Sequence, residues 1–150
     1  MLYISGFVFD MINEACKNGD VEQGWLIGCT QDFEHIDACC WLPPSYADDN
    51  CYVMEPALAT HLVRSWAENN VCVIGFVHSH ISDKDNLSRA DIDSAVSLLK
   101  SLKMPFLYFG IIVTNTGIKD NSHYPLFMYL ASSNDTSEYS VKQIPYTIIT

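Results

Sequence analysis

Basic side chains are scarce in this sequence. Eight Lys and Arg stand against 18 Asp and Glu, a formal net charge of −10, and no basic cluster interrupts that excess. A surface of this sign repels a phosphate backbone, so nucleic acid is not an expected partner; a basic protein surface is the complementary one. No apolar run approaches the length that spans a bilayer, and no positive charge precedes Lys17, which excludes the layout of a secretory leader. The six cysteines, at positions 16, 29, 39, 40, 51 and 72, form no Cys-x-x-Cys pair, and several fall in apolar runs. Reduced, buried thiols and a cytoplasmic location without membrane association are the expectation. Internal repeats, linkers and low-complexity tracts are also missing. With 49% hydrophobic and 17% charged residues in 150, the chain is expected to fold as a single domain over residues 1–150 with a substantial core.

Hydrophobic periodicity sets out the elements. A helix is expected from Ser5, as its cap, to about Asn18, with Phe9, Ile12, Ala15 and Cys16 on one face and Gly19 as its stop. Val21–Thr30 and Phe33–Leu42 read as an antiparallel hairpin ended by Pro43-Pro44, followed by an acidic, aromatic loop over Ser45–Met54. Pro56 suits the first turn of a helix reaching Asn69. Val71–Val77 is almost wholly apolar, as a central strand covered on both faces requires. A helix follows from Ser88 to about Lys103, with Ile92, Ala95, Val96 and Leu99 inward and Met104-Pro105 as its stop. Strands are expected over Phe106–Thr114, Tyr124–Ala131 and Tyr139–Ile149, separated by the Asn115–His123 loop and by Ser132–Ser137. This order predicts an α/β domain with a mixed, mainly antiparallel sheet and helices packed around it.

The densest chemistry lies at Gly75-Phe-Val-His-Ser-His80 and Ser88-Arg-Ala-Asp91. Residues two apart on a strand face the same way, so His78 and His80 leave one face together. Seven residues separate His80 from Ser88, room for a loop that starts a helix and returns Asp91 toward the strand end. Two imidazoles and a carboxylate hold zinc with a fourth position open, the arrangement of catalytic rather than structural sites.

The pattern His-x-His-x7-Ser-x-x-Asp resembles that of the JAMM (JAB, MPN-plus) metalloprotease family. In prokaryotic members an upstream glutamate opens a strand reading Glu-x-Gly-x-Leu-x-Gly, and here the chain reads Glu22-Gln-Gly24-Trp-Leu26-Ile-Gly28. The resemblance implies a JAMM/MPN fold and one catalytic zinc ion held by His78, His80 and Asp91. It implies Glu22 as general base and then acid, and Ser88 as donor to the developing oxyanion. The implied reaction is isopeptide or peptide cleavage at the C-terminal tail of a ubiquitin-like or sulfur-carrier protein, with the tail adding a strand beside the site. Family members commonly carry proline after the second histidine; Ile81 stands there in this chain, which bears on the shape of the loop to Leu87 and on substrate preference. The recognisable motifs run from Glu22 to Asp91.

Each of these residues has a plainer role available. Ser88-x-x-Asp91 is also a helix-capping pattern, and Glu22 outside its glycine frame is an ordinary strand-edge charge. His35, His61 and His123 are read as structural, and Asp83 and Asp85 as solvated loop charges. Trp25, Trp41 and Trp66 are assigned to the core, while Tyr46 and Tyr52, in the acidic loop, are candidates for an exposed contact, with plain surface as the default. Two other functions fit parts of the pattern: a noncatalytic MPN scaffold module, and a metal-dependent amidase acting on cell-wall peptides.

Overall fold

In the computed structural model the described residues are 1–17, 19–81, 87–114, 123–134 and 138–150, and they form eleven strands and three helices. In chain order these are β1 (Leu2–Ser5), α1 (Gly6–Cys16), β2 (Gly24–Cys29), β3 (His35–Ile36), β4 (Ala38–Trp41), β5 (Pro44–Ala47), β6 (Tyr52–Met54) and α2 (Pro56–Glu68). Then come β7 (Cys72–His80), α3 (Arg89–Leu102), β8 (Phe106–Val113), β9 (Leu126–Ser133), β10 (Tyr139–Ile144) and β11 (Tyr146–Ile149).

The apolar run before the histidines becomes β7, buried along its whole length except Cys72. It lies inside a six-stranded sheet of order β10-β9-β8-β7-β2-β4. Pairing is antiparallel throughout that sheet except between β7 and β8, which run parallel. A parallel pair needs a crossover, and α3 supplies it. The helix therefore begins where β7 ends, so its first turn stands beside the C-terminal end of that strand.

The strand pleat sorts the core into two layers. One holds Trp25, Ile27, Val77 and Ile112 with Val8, Ile12 and Cys16 of α1. The other holds Leu26, Phe76, Phe109 and Ile111 with Ala59 of α2 and Ala95 and Leu99 of α3. Phe76 thus faces the α2–α3 layer, and His78 and His80 continue its row. Among the described residues no helix is long and apolar enough to cross a membrane.

Several expectations change in detail. Ser5 precedes α1 but makes no capping hydrogen bond, because it also closes β1. On α1 the inward face is Val8, Ile12, Asn13 and Cys16, with Ala15 exposed. The segment expected to be a loop after Pro43 is a hairpin of β5 and β6. The single strand expected over Tyr139–Ile149 breaks at Pro145, which has no N–H to offer a ladder: β10 stays in the main sheet, and β11 joins β1 and β3 in a second one. Trp41 is half exposed rather than core, at the end of edge strand β4 where no further strand covers it. Cys72 is exposed, against the expectation of buried thiols. Asn18, Asp83, Asp85, most of the Asn115–His123 separator and the second half of Ser132–Ser137 lie outside the described residues, while Ser132 and Ser133 extend β9.

Candidate metal centre

Three side chains meet where β7 ends and α3 begins. His78 Nε2 and His80 Nε2 are 2.8 Å apart, His78 Nε2 is 3.1 Å from Asp91 Oδ1, and His80 Nε2 is 3.4 Å from Asp91 Oδ2. Ligands about 2.0–2.1 Å from a tetrahedral zinc stand about 3.3–3.4 Å from one another. The donor types and their spacing therefore suit one such ion with little rearrangement, and among the described residues this is the one His/Cys/Asp/Glu group so placed.

Local structure accounts for the aim of each ligand. Both histidines are buried. The His78 ring lies edge-on to Phe109, with centroids 5.2 Å apart, and beside Phe76 at 5.8 Å. The His80 carbonyl accepts the Thr114 N–H at 3.0 Å, tying the strand end to the chain beyond β8. Asp91 is held by a capping box: Ser88 N–H donates to Asp91 Oδ2 at 2.7 Å, and Asp91 N–H donates to Ser88 Oγ at 3.1 Å. The helix N-terminus adds favourable partial charge for the carboxylate. Capping therefore still leaves a carboxylate oxygen that could serve a metal, because Asp91 Oδ1 is turned to His78. In that box the Ser88 hydroxyl acts as acceptor, which leaves its proton to give.

Glu22 reaches the same corner from the segment just before β2, which starts at Gly24 rather than at Val21 as expected. Gly24 pairs with His78. The next residues continue the ladder through Ser79 N–H to the Gln23 carbonyl at 2.9 Å and Gln23 N–H to Ser79 Oγ at 2.8 Å. That register puts Glu22 across from His80, on the face that carries the histidines. Glu22 is buried, and its N–H donates to the Asp48 carbonyl at 2.7 Å. Its carboxylate is not part of the three-ligand cluster. Slight burial and then the charges of Asp48, Glu22 and Asp91 push the Cys51 thiol up, so Glu22 and Asp91 act on one neighbourhood.

Gly24 has a steric reason. A Cβ there would stand 2.5 Å from the Tyr52 ring and 2.9 Å from Phe76, so its absence lets Tyr52 lie over β2, its hydroxyl donating to the Leu42 carbonyl. Of the two tyrosines that were candidates for an exposed contact, Tyr46 is exposed and pairs with Asp48, whereas Tyr52 lines a cavity. That cavity, about 440 Å³, runs from His78 and Asp91 past Tyr52, Phe76, Phe109 and Leu98. Sequence reading singled out Tyr52 but missed Phe76 and Phe109 as lining; the glycine opposite His78 was the available signal for a ring close by. His35 stacks on Tyr3 and pairs with Asp32, His123 pairs with Asp10, and His61 is exposed on α2; none joins the cluster.

The protonation states suit a cation. Burial lowers the His78 pKa, reinforced by His80 and only partly offset by Asp91, so this imidazole is neutral. Burial alone would raise Asp91, but hydrogen bonds from His78 and His80 outweigh it and hold the carboxyl well below the usual range. Both shifts carry the same sign for stability. As pH falls below the ordinary imidazole value of 6.5, the unfolded chain takes up a proton that folded His78 refuses. The Asp91 contribution is lost only further down, below the ordinary 3.8. Metal-free protein is therefore expected to melt at a lower temperature at about pH 5.5 than at about pH 7.5, and His78→Asn is expected to flatten that dependence in thermal denaturation curves.

Solved structures resemble the whole chain. The solution structure of protein DSY2949 from Desulfitobacterium hafniense superposes with a TM-score of 0.72 at 16% identity, covering 99% of this chain and 93% of that one. A solution structure of a Salinibacter ruber protein does so with a TM-score of 0.57 at 13% identity, covering 99% and 92%. At such identities the likeness speaks for the fold alone. No protein-family model and no curated protein matches the chain. The fold is thus a mixed α/β one, with a mostly antiparallel sheet shared with these two bacterial proteins.

Proposed function

We propose that this chain is a JAMM-type metallopeptidase of the cytoplasm, with the JAMM/MPN fold, cleaving an isopeptide or peptide bond at the C-terminal tail of a ubiquitin-like or sulfur-carrier protein. The observation that carries the reading is the convergence of His78, His80 and Asp91 within 3.4 Å of one another, with buried Glu22 in register across from His80.

The three ligands are the residues to hold zinc. Zinc in such a site polarises a carbonyl and brings the pKa of water to about 7. Glu22, buried and outside the ligand set, takes the proton of the attacking water and passes it to the leaving amine. Ser88 gives its hydroxyl proton as a hydrogen bond to the carbonyl oxygen as negative charge grows there. Asp91 is kept in one orientation by the capping box, so ligand position is set before substrate arrives. The cavity past Tyr52 and Phe109 is the place for the substrate segment beside the scissile bond.

The test is cleavage of a ubiquitin-like protein fused through its tail to a reporter amine. Glu22→Gln is expected to keep about one zinc per chain while lowering kcat by roughly 10²–10⁴. Full activity in that variant would remove Glu22 as the base. A chain that binds zinc yet cleaves neither tails nor cell-wall peptides would favour the scaffold role.

A further inference from the structure

At the far end of β7 from the histidines, two of the six thiols come together. Cys29, the last residue of β2, is the direct cross-strand partner of Cys72, the first of β7. Directly opposed residues of an antiparallel pair have Cβ atoms about 4.5–5.5 Å apart on one face, and a disulfide needs about 3.5–4.5 Å. The gap is small, and the pair stands close to the register shift at Ile27/Gly28, where a broken ladder gives more readily than a regular one. Burial and then the neighbouring Cys72 push the Cys29 thiol up to about 11.

Their exposure differs in a useful way. Cys29 is buried and Cys72 is exposed. Cys72 is also among the residues that line an apolar groove of about 340 Å³ between the C-terminal ends of α2 and α3, with Val63, Val71, Leu102 and Phe106. A small reagent can therefore reach Cys72 and not Cys29.

We propose that Cys29 and Cys72 are a reversible dithiol–disulfide couple whose oxidant is a low-molecular-weight disulfide. The Cys72 thiolate attacks one sulfur of the small disulfide, forming a mixed disulfide and releasing one small thiolate. Cys29 then loses its proton to solvent and attacks Cys72 Sγ, forming the Cys29–Cys72 bond and releasing the second small thiolate. Two protein thiols are oxidised and one small disulfide is reduced to two thiols. The bond closes the chain from Cys29 to Cys72 into a loop that holds β3 to β6 and α2, restricting the unfolded state. His78 lies six residues further along β7, about 20 Å at strand rise, so metal binding is untouched. This couple does not depend on the peptidase reading.

The experiment is incubation of the folded, full chain with oxidised glutathione, followed by intact mass, peptide mapping, thermal denaturation and metal content. Expected are loss of two hydrogen atoms in mass, a cross-linked peptide pair containing Cys29 and Cys72, and a Tm raised by roughly 5–10 °C. Dithiothreitol should reverse all three, and metal content should not change. Cys29→Ser should stop at a glutathione adduct on Cys72, and Cys72→Ser should gain neither adduct nor cross-link between these positions. A lasting glutathione adduct on wild-type Cys72, a bond among Cys39, Cys40 and Cys51 instead, or no reaction at all would overturn the proposal.

Discussion

Zinc content should fall from about one ion per chain to near zero in His78→Ala and in Asp91→Ala, with activity lost alongside it. A buried tridentate site has no redundancy. Loss of an outer partner that merely orients a ligand costs roughly 10–100-fold in metal affinity, and loss of a ligand itself is expected to exceed that. The two variants differ in what else they disturb. His78→Ala removes a ring packed against Phe76 and Phe109, whereas Asp91→Ala also opens the capping box of α3. Asp91→Asn separates these effects, since its amide oxygen can still accept from Ser88 N–H while the negative charge is gone. Metal analysis by mass spectrometry on freshly purified, untagged protein, with circular dichroism as the check on folding, decides the matter. Wild-type protein without zinc after reconstitution, or ligand variants that keep theirs, would refute the site.

Gly75→Ala is expected to be the most damaging alanine replacement among the glycines of the described residues. A Cβ on Gly75 would lie 2.1 Å from the carbonyl oxygen of Tyr108 and 2.9 Å from its carbonyl carbon. Those are backbone atoms of β8, paired in parallel with β7 at that residue, and they cannot swing aside as a side-chain tip can. Relief requires β7 and β8 to part or shift next to the histidines. Overpacking of a core costs about 1–3 kcal/mol and sometimes more; a backbone clash in a central strand belongs at the top of that range. A fall in Tm of roughly 6–12 °C follows for a domain of this size, and scanning calorimetry would measure it. Because β7 carries both histidines, zinc retention should weaken as well. A Tm within about 2 °C of wild type would show that the strands separate more easily than this contact allows.

Much of this was legible locally. The apolar run before His78 could only be a covered strand, and alternation along it aims His78 and His80 the same way. Helix signals around Ser88 located α3 to within a residue. Other features left no local trace. Strand β1 is four residues long and exists because β3 and β11 pair with it from distant parts of the chain, so no nearby pattern announces it. The β5–β6 hairpin looked like a polar loop because its strands are short and mostly uncovered. Trp41 reads as core by residue type, and only the strand order reveals that it sits on an edge.

The sequence by itself determined which chemical groups are present, the strand spacing that aligns the two histidines, and the capping pair that starts the helix behind them. These are consequences of backbone stereochemistry over a few residues, where the allowed dihedral angles leave a short menu. Only the tertiary structure decided that Asp91 closes on those histidines, that Glu22 comes in ahead of another strand to face His80, and that Cys29 meets Cys72. Each depends on register between segments far apart in the chain, and register is set by which faces the whole sheet buries against its helices.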